Sequence, residues 1–240
     1  IIRCADKSVR ATKERGMEVI EKAVKEKRKN LTEYESKQVL SAYGVPVTKE
    51  FLVKNAKEVV ARAGEIGYPV VLKGSGPELL HKTELDIIRL NLKNAKEVRQ
   101  AFKEIKANAG KKLKGVLVEE MVKGERELVI GLVRDAQFGP CVMFGLGGIY
   151  TEILRDVCFR VAPITEDDAF QMMGEIKGKK ILEAFRGMAP ADQAMLAKAL
   201  IGLSRLGMEN NLVKEVDVNP LILTREGRPV AVDALVILGE

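Results

Sequence analysis

The alternation of apolar and polar residues near the C-terminus most limits how this chain can fold. Residues 216–223 and 230–238 have the pattern of two strands, and residues 225–228 between them have the composition of a turn. Alternation places Asp217 and Asn219 on one face of the first strand and its flanking valines on the other. The sequence therefore predicts a closing β-hairpin with one polar and one apolar face.

Three oxygen-bearing side chains are expected to meet on the polar face of this hairpin. If the turn is centred near residues 226–227, Asp233 lies within about one residue of the position opposite Asn219. Asp217, Asn219 and Asp233 would then present oxygen ligands to one point, which suits Mg²⁺ that also binds phosphate oxygens. The alternative is a polar cluster at a sheet edge, but the surrounding valines indicate carboxylates placed against their preference for water.

Composition excludes several classes of protein. The chain has 240 residues, 46% of them hydrophobic, enough for one large domain or two packed lobes. Its 40 basic and 34 acidic residues are interleaved, and it has no tryptophan, so we interpret the charge of +6 as a surface suited to phosphorylated ligands rather than nucleic acid.

Cysteine usage and hydropathy suggest where the protein resides. Cys4, Cys141 and Cys158 are odd in number and lack metal-ligand spacing, which is typical of a reduced, cytoplasmic protein. The longest uncharged stretch, residues 136–151, is interrupted by glycines and a proline, so we expect no membrane segment.

Helix signals are clear in the N-terminal half. Residues 8–30 are charge-rich with a thin apolar stripe, which predicts either an extension that docks on another surface or a frayed, solvated helix. Thr32 with Glu35 forms a capping box and Gly44 a stop, predicting a helix over residues 33–43. Asn55 and Asn94 begin two further helices with the same capping chemistry. We interpret this as a capping motif that occurs twice rather than as the repeat of a solenoid.

Strands and loops complete an α+β pattern. Residues 70–73 and 87–92 are predicted strands, and the loop between them has about a dozen residues, against a usual median of roughly 4–6, which favours a functional role. From Gly115 the pattern changes to successive strands, followed by two or three helices between about residues 166 and 206. We place a lobe boundary near residues 118–122.

Several residues could carry chemistry, each beside a simpler explanation. Lys73 ends an apolar strand, where an ammonium needs an anion or a route to water. The strand end at residues 118–122, with Glu127 beyond it, could read an adenine edge and a ribose, or could be an exposed acidic strand end. The glycines of residues 144–148 could let N–H groups approach phosphate, or could mark a strand-to-turn transition.

His81 is the one histidine of the chain and lies in the long polar loop. Imidazole titrates near neutrality, so it can attack phosphorus as the free base and leave again from a phosphoramidate. A lone surface histidine usually has no such role, so the hypothesis depends on the motif around it.

Taken together, six segments resemble the ATP-grasp family. The resemblance is specific for the β subunits of ADP-forming acetyl-CoA synthetases, which are similar to the β subunit of succinyl-CoA synthetase, and it covers about residues 31–238. The segments are residues 31–46, 69–73, 80–83, 118–122, 144–148 and 215–221.

The resemblance implies an α+β ATP-grasp fold whose two lobes enclose a nucleotide cleft. Residues 1–30 would form a helical extension, residues 31–118 an N-terminal lobe carrying the His81 loop, and residues 119–240 a C-terminal lobe carrying the metal site.

It also implies a role for each candidate residue. Lys73 would hold nucleotide phosphate, Glu127 would bind ribose, and Arg160 could contact phosphate as a forked donor or pair with Asp156 or Asp167. The remaining expected contacts are adenine at Glu119, Glu120, Met121 and Val122, a phosphate loop at Gly145, Gly147 and Gly148, and Mg²⁺ at Asp217, Asn219 and Asp233.

The activity implied is ligation of an acid to CoA coupled to ATP and ADP. In the family, a CoA-binding α subunit captures phosphate from an acyl phosphate, and His81 looks like the second phosphohistidine of a relay that carries it to ADP within an α₂β₂ assembly. Succinyl-CoA synthetase β subunits continue into a further α/β domain, which we expect to reside in the partner here. Two distant sites need a carrier, and a long polar loop can supply one.

One departure and two alternatives stay open. Family members often have a Gly-Gly pair shortly after the histidine, whereas this chain has Asp86-Ile87, which leaves the extent of loop motion open. The chain could instead be an ATP-grasp carboxylate–amine ligase that uses an acyl phosphate without phosphohistidine. It could also be an inactive nucleotide-binding regulatory module.

Overall fold

The computed structural model describes residues 2–79, 82–148 and 155–239, with side chains described from residue 14 onward. The chain forms two compact units, one of residues 48–122 and a larger one of residues 1–47 and 123–240. Each unit combines helices with a sheet, in agreement with the α+β prediction. No helix in the described ranges has the length and apolar character needed to cross a membrane.

The elements are numbered in chain order. The helices are α1 (Ile2–Lys25), α2 (Glu33–Ala42), α3 (Ala56–Ile66), α4 (Ala95–Ala109), α5 (Glu166–Glu175) and α6 (Gln193–Glu209), with short 3-10 turns at Gly110–Lys112 and Lys179–Leu182. The strands are β1 (Glu50–Val53), β2 (Val70–Ser75), β3 (Ile88–Leu92), β4 (Gly115–Glu120), β5 (Arg126–Asp135), β6 (Gly139–Leu146), β7 (Val157–Val161), β8 (Val213–Leu223), β9 (Pro229–Ala231) and β10 (Leu235–Leu238).

The smaller unit is a four-stranded sheet, in the order β1-β4-β2-β3, packed against α3 and α4. Both helices begin at an asparagine whose side chain accepts two backbone N–H groups, Asn55 for α3 and Asn94 for α4. The predicted repeat of capping chemistry is therefore confirmed. Central strand β2 is buried along its whole length, which explains the apolar run before Lys73.

The larger unit contains a six-stranded sheet in the order β10-β8-β5-β6-β7, with β9 paired to β8. Alternate residues of β5, namely Leu128, Ile130 and Leu132, enter one core with residues of α5 and α6. The intervening residues, beginning with Glu127, face the other side of the sheet. This second face carries the candidate metal ligands.

The register of the C-terminal hairpin agrees with the sequence prediction. Strand β8 pairs Leu221 with Ala231 and Asp217 with Leu235, so Asn219 lies across from Asp233 between these two pairs. Val232 also donates its N–H to the carbonyl of Pro220, at 3.2 Å. The register therefore places the polar residues of the hairpin on one face of the sheet, as strict alternation predicts.

The N-terminal helices pack onto the larger unit. Thr32 and Glu35 form the predicted capping box at the start of α2, and Gly44 follows it with a φ of 87°. Of the predicted apolar stripe on α1, Ile20 is buried, whereas Val24 is 38% exposed. This part of α1 therefore packs against the core of the larger unit with one side and exposes the other to solvent.

The compact units divide the chain differently from the predicted lobes, because residues 31–47 lie with the larger unit. Leu31 donates its N–H to the carbonyl of Val236 at 2.9 Å, and Ala231 donates to the carbonyl of Pro46 at 2.8 Å. These backbone bonds attach the segment after α1 to the C-terminal hairpin, a pairing between distant parts of the sequence. The change of unit after Val122 falls at the end of the predicted boundary region.

Two helical glycines provide a matched test of this packing. A Cβ at Gly202 in α6 would overlap the carbonyl oxygen of Tyr43, whereas a Cβ at Gly64 in α3 would meet nothing within 4 Å. We expect Gly202→Ala to destabilise the protein by about 1–3 kcal/mol through overpacking. Gly64→Ala should be neutral or stabilising by up to about 1 kcal/mol, because alanine favours helix. Urea unfolding followed by circular dichroism measures both, and equal effects would contradict the packing described.

Candidate functional site

The oxygen-bearing residues of the hairpin meet on the face of the larger sheet opposite α5 and α6. Val216 and Val218 enter the buried core, so Asp217 and Asn219 point to the other face, where Asn219 is opposite Asp233. The Asp233 carboxylate also accepts the N–H of Ala234 at 2.9 Å. The structure thus brings these three sequence-predicted residues together.

Negative charge is in excess around Asp217. Burial raises the pKa of Asp217 to about 6, and the neighbouring carboxylates of Glu215 and Asp233 raise it further in the same direction. A cation beside Asp217 would favour its ionised form. Two carboxylates and an amide oxygen form a donor set that fits a hard divalent cation such as Mg²⁺.

The glycine turn after β6 lies directly above this face. Gly147 donates its N–H to the carbonyl of Glu127 at 2.8 Å, and Gly148 donates its N–H to Oδ1 of Asn219 at 3.3 Å. Gly148 has a φ of 61°, and a Cβ there would overlap the Glu127 carboxylate. Glycine suits this position because a side chain at a φ of 61° would be strained.

The glycines predicted to form a phosphate loop have hydrogen-bond partners within the protein. The N–H groups of Gly147 and Gly148 already have acceptors within the protein, and Gly145 lies inside β6, paired with both Val129 and Val157. These bonds hold the turn beside Glu127 and Asn219. Residues 149–154, which follow, lie outside the described residues.

A buried ion pair lies in the smaller unit. Nζ of Lys73 is 3.1 Å from Oε2 of Glu119, and the two side chains are only 8% and 2% exposed. Strands β2 and β4 are antiparallel, with Val71 opposite Glu119, so the two charged residues share one face. Glu119 therefore supplies the anion that a lysine in an apolar strand requires.

In the rest of the predicted adenine segment, Glu120 makes hydrogen bonds within the protein. The Glu120 carboxylate accepts the backbone N–H of Lys49 at 2.7 Å, and its own N–H donates to the Lys49 carbonyl at 3.0 Å. Met121 and Val122 follow β4 and are half-buried. Glu120 thus anchors the strand end rather than presenting a free carboxylate.

Arg160 lies away from the candidate metal ligands. It pairs with Val142 on β6, whose side chain is in the helix-covered core, and its Nη2 donates to Glu175 of α5 at 2.6 Å. The predicted partners Asp156 and Asp167 are wrong, since Asp156 instead accepts the N–H groups of Lys177 and Gly178. By strand alternation Arg160 is on the opposite face of the sheet from Glu127.

His81 and the preceding Leu80 lie outside the described residues. The structure does describe the residues on either side. Leu79 is buried in the core of the smaller unit, and the chain from Lys82 onward leads into β3.

Sequence reasoning missed the buried Arg126, which directly precedes Glu127. Its guanidinium donates to the carbonyls of Ile181, Glu183 and Ala189, at 3.1, 3.1 and 2.7 Å. Burial lowers the pKa of Arg126. The arginine ties the segment around residues 181–189 to the start of β5, and its place beside a predicted ribose ligand is the one signal the sequence offers.

The buried carboxyl of Asp217 leads to a pH-dependent prediction. Because its pKa is raised to about 6 by burial, the ionised form opposes folding above that pH, and the effect disappears below its unfolded pKa of about 4. Without metal, Asp217→Asn should stabilise the protein at pH 7.5 by on the order of 2 kcal/mol and have little effect at pH 4. Mg²⁺ should stabilise the wild type more than the variant.

Urea titrations across this pH range, with and without a chelator, measure the effect. Glu125→Gln, at a nearby exposed position, is the control and should change stability by less than about 0.5 kcal/mol. A destabilising Asp217→Asn at pH 7.5 without metal would contradict the described electrostatics.

Comparison with known proteins gives the family. Residues 22–238 match the family model for an ATP-grasp domain. The chain is 45% identical over 226 residues to the β subunit of acetate–CoA ligase [ADP-forming] I from Pyrococcus furiosus, covering 92% of this chain and 97% of that subunit. It is 42% identical over 224 residues to the 4-hydroxybutyrate–CoA ligase [ADP-forming] of Nitrosopumilus maritimus, of which it spans only 32%.

Solved structures agree. Acetyl-coenzyme A synthetase 1 of Ca. Korarchaeum cryptofilum, in complex with coenzyme A and Mg-AMPPCP and with its phosphohistidine segment pointing towards the nucleotide binding site, has a TM-score of 0.83 and 44% identity, covering 93% of this chain and 100% of that chain. A second structure of that protein has its phosphorylated phosphohistidine segment in the site I orientation, with a TM-score of 0.84, 43% identity and the same coverage.

The fold class and the resemblance inferred from the sequence are thus confirmed. The chain belongs to the ATP-grasp family, and its relatives include the β subunits of ADP-forming acetate–CoA ligases.

Proposed function

We propose that this chain is the nucleotide-binding subunit of an ADP-forming acid–CoA ligase. The enzyme interconverts acyl-CoA, ADP and phosphate with the acid, CoA and ATP. The observation that carries the proposal is the set of half-buried oxygen donors around Asp217, in a chain that is 45% identical to such a subunit along almost its whole length. A cluster with excess negative charge suits a metal–nucleotide substrate.

Several residues of the chain would bind the nucleotide. Lys73 keeps three donor protons on its ammonium, so it can contact Glu119 and still donate to phosphate oxygens. The end of β4, at residues 119–122, would face adenine through main-chain groups, and Glu127 would bind the ribose hydroxyls. Glu120 contributes by fixing that strand end, and Arg160 is left out of the proposed site because it pairs with Glu175.

Asp217, Asn219 and Asp233 would hold Mg²⁺. When bound, the ion would neutralise phosphate charge beside the transferring group. The chain itself orients these ligands, because Gly148 donates to Asn219 and Ala234 donates to Asp233. Positioning of this kind is the main contribution that a protein makes to phosphoryl transfer.

His81 would carry the phosphoryl group. In the direction of ATP formation, an oxygen of the ADP β-phosphate would form a P–O bond while the P–N bond of phosphohistidine breaks, and the ring, already protonated on its other nitrogen, would leave as neutral imidazole. The Korarchaeum enzyme has its phosphohistidine segment in two orientations. This similarity supports a carrier role for His81 in the present chain.

A CoA-binding partner completes the proposed enzyme. The Pyrococcus relative is named as a β subunit, and the single-chain Nitrosopumilus relative is about three times as long as the region matched here. Both support a second subunit or domain that binds CoA and the acyl group and phosphorylates His81. We propose an α₂β₂ assembly in the cytoplasm, where ATP and CoA are used.

Replacement of the histidine tests the function directly. In the complex with the CoA-binding partner, His81→Ala should lower ATP formation from acyl-CoA, ADP and phosphate by at least about 10³-fold, because the covalent carrier is lost. Binding of Mg-ADP should be unchanged. Lys82→Ala, the neighbouring truncation, should retain acid-labile phosphate on His81.

Coupled ATP assays, calorimetry and radiolabel transfer from ATP measure these properties. Retention of most activity in His81→Ala would favour the carboxylate–amine ligase. Nucleotide binding without phosphate transfer in the wild-type complex would favour the regulatory module.

A further inference from the structure

The chain that follows His81 ends its turn with a left-handed residue. Ile87 donates its N–H to the carbonyl of Lys82 and Asp86 donates its N–H to the carbonyl of Thr83, both at 3.1 Å. This pair of bonds is the Schellman pattern, and Asp86 has the φ of 50° that the pattern requires. Glycine is the usual residue at such a position, because a side chain there is strained.

The side chain of Asp86 compensates for this strain through the Asp86 cluster, defined as Asp86, Arg89, Glu104 and Asn108. The Arg89 guanidinium donates to both carboxylate oxygens of Asp86, at 2.7 and 3.0 Å, and to its carbonyl at 3.1 Å. Asn108 donates to the same carbonyl at 2.9 Å and to the carboxylate at 3.1 Å.

The cluster is attached to rigid elements. Arg89 lies in β3 and donates its Nε to Glu104 of α4 at 2.8 Å, while Asn108 lies near the end of the same helix. Asp86 is 71% exposed, so a single contact would contribute little. Forked geometry and several shared donors make the arrangement a network rather than an isolated surface pair.

Ile87, the next residue, restrains the chain through its buried side chain and its backbone. Ile87 is fully buried in the core of the smaller unit, and its carbonyl accepts the N–H of Gly74 in β2 at 2.8 Å. A Cβ at Gly74 would already be in tight contact with the Ile87 side chain. The backbone therefore has little room to rotate at residues 86–87.

We propose that Asp86, held by Arg89 and Asn108, is the fixed end of the segment that carries His81, so that transfer uses only the chain ahead of residue 86. The proposal rests on the relay described above. Arg89 and Asn108 are positioning residues, because they act on His81 through Asp86 and touch no substrate. By limiting the conformations of the segment, they raise the fraction in which the imidazole is placed for transfer.

Two variants loosen the fixed end in different ways. Arg89→Ala removes the fork, and Asp86→Gly keeps the left-handed backbone and its carbonyl contacts but removes the contacts of the Asp86 carboxylate. In the complex with the CoA-binding partner, both should slow His81 phosphorylation from ATP and transfer to the partner by roughly fivefold or more. Asp86→Asn should keep most of the rate, since asparagine adopts this conformation and still accepts a hydrogen bond.

A binding measurement separates positioning from damage to the nucleotide site. The dissociation constant for Mg-ADP should be unchanged in all three variants. Arg62→Ala is the control, because it removes an exposed ion pair with Glu65 on α3 of the same compact unit. It should leave rates and binding unchanged. Wild-type transfer rates in Arg89→Ala and Asp86→Gly would overturn the proposal.

Hydrogen exchange tests the fixed end without using activity. The amides of Asp86 and Ile87 should exchange at least roughly tenfold faster in Arg89→Ala and Asp86→Gly, and unchanged in Arg62→Ala. Unchanged exchange in the first two variants would also overturn the proposal. If wild-type His81 takes up no phosphate, the proposed function fails, and the exchange result still decides whether Asp86 is a fixed end.

Discussion

Burial of ionised side chains is the constraint on which both parts of the candidate site depend. In the smaller unit each buried charge has a partner of opposite sign, because Nζ of Lys73 and Oε2 of Glu119 lie 3.1 Å apart. In the larger unit Asp217 is half-buried, and the nearby carboxylates of Glu215 and Asp233 carry charge of the same sign. Carboxylates held close to one another in a partly buried site favour the binding of a cation, whereas Lys73 and Glu119 carry both signs of charge themselves. That difference is what suits the protein to a magnesium-bound nucleotide.

Features that depend on neighbouring residues were predictable from the sequence. The capping box of Thr32 and Glu35 and the caps at Asn55 and Asn94 each involve groups two or three positions apart. The hairpin register that places Asn219 across from Asp233 follows from a short turn and strict alternation. In each case the partner lies within a single element or turn, so the pattern contains the information needed.

Features that depend on distant partners were not predictable. Alternation gives the face of Arg160 within its own strand, but only the position of α5 decides that this face is covered and that Glu175 is the partner. The glycine pattern permits N–H groups to approach phosphate, yet the pairing of β5 with β6 and β8 supplies Glu127 and Asn219 as acceptors first. The attachment of residues 31–47 to the larger unit likewise depends on Val236 and Ala231, far along the chain.

The contacts of Asp86 with Arg89 and Asn108 explain how Asp86-Ile87 can stand where family members often have a Gly-Gly pair. Glycine adopts a positive φ because it has no Cβ, and it leaves the backbone free on both sides. Aspartate adopts the same φ with the help of Arg89 and Asn108, and those bonds also hold it in place. Since Leu79 is buried ahead of His81, the travel of the imidazole has to come from the six residues between these two anchors. His81 is two residues from Leu79, and an extended chain advances at most about 3.6 Å per residue, so the Cα of His81 can lie no more than about 7 Å from that anchor, which limits the distance between the sites that His81 can serve without moving the fold.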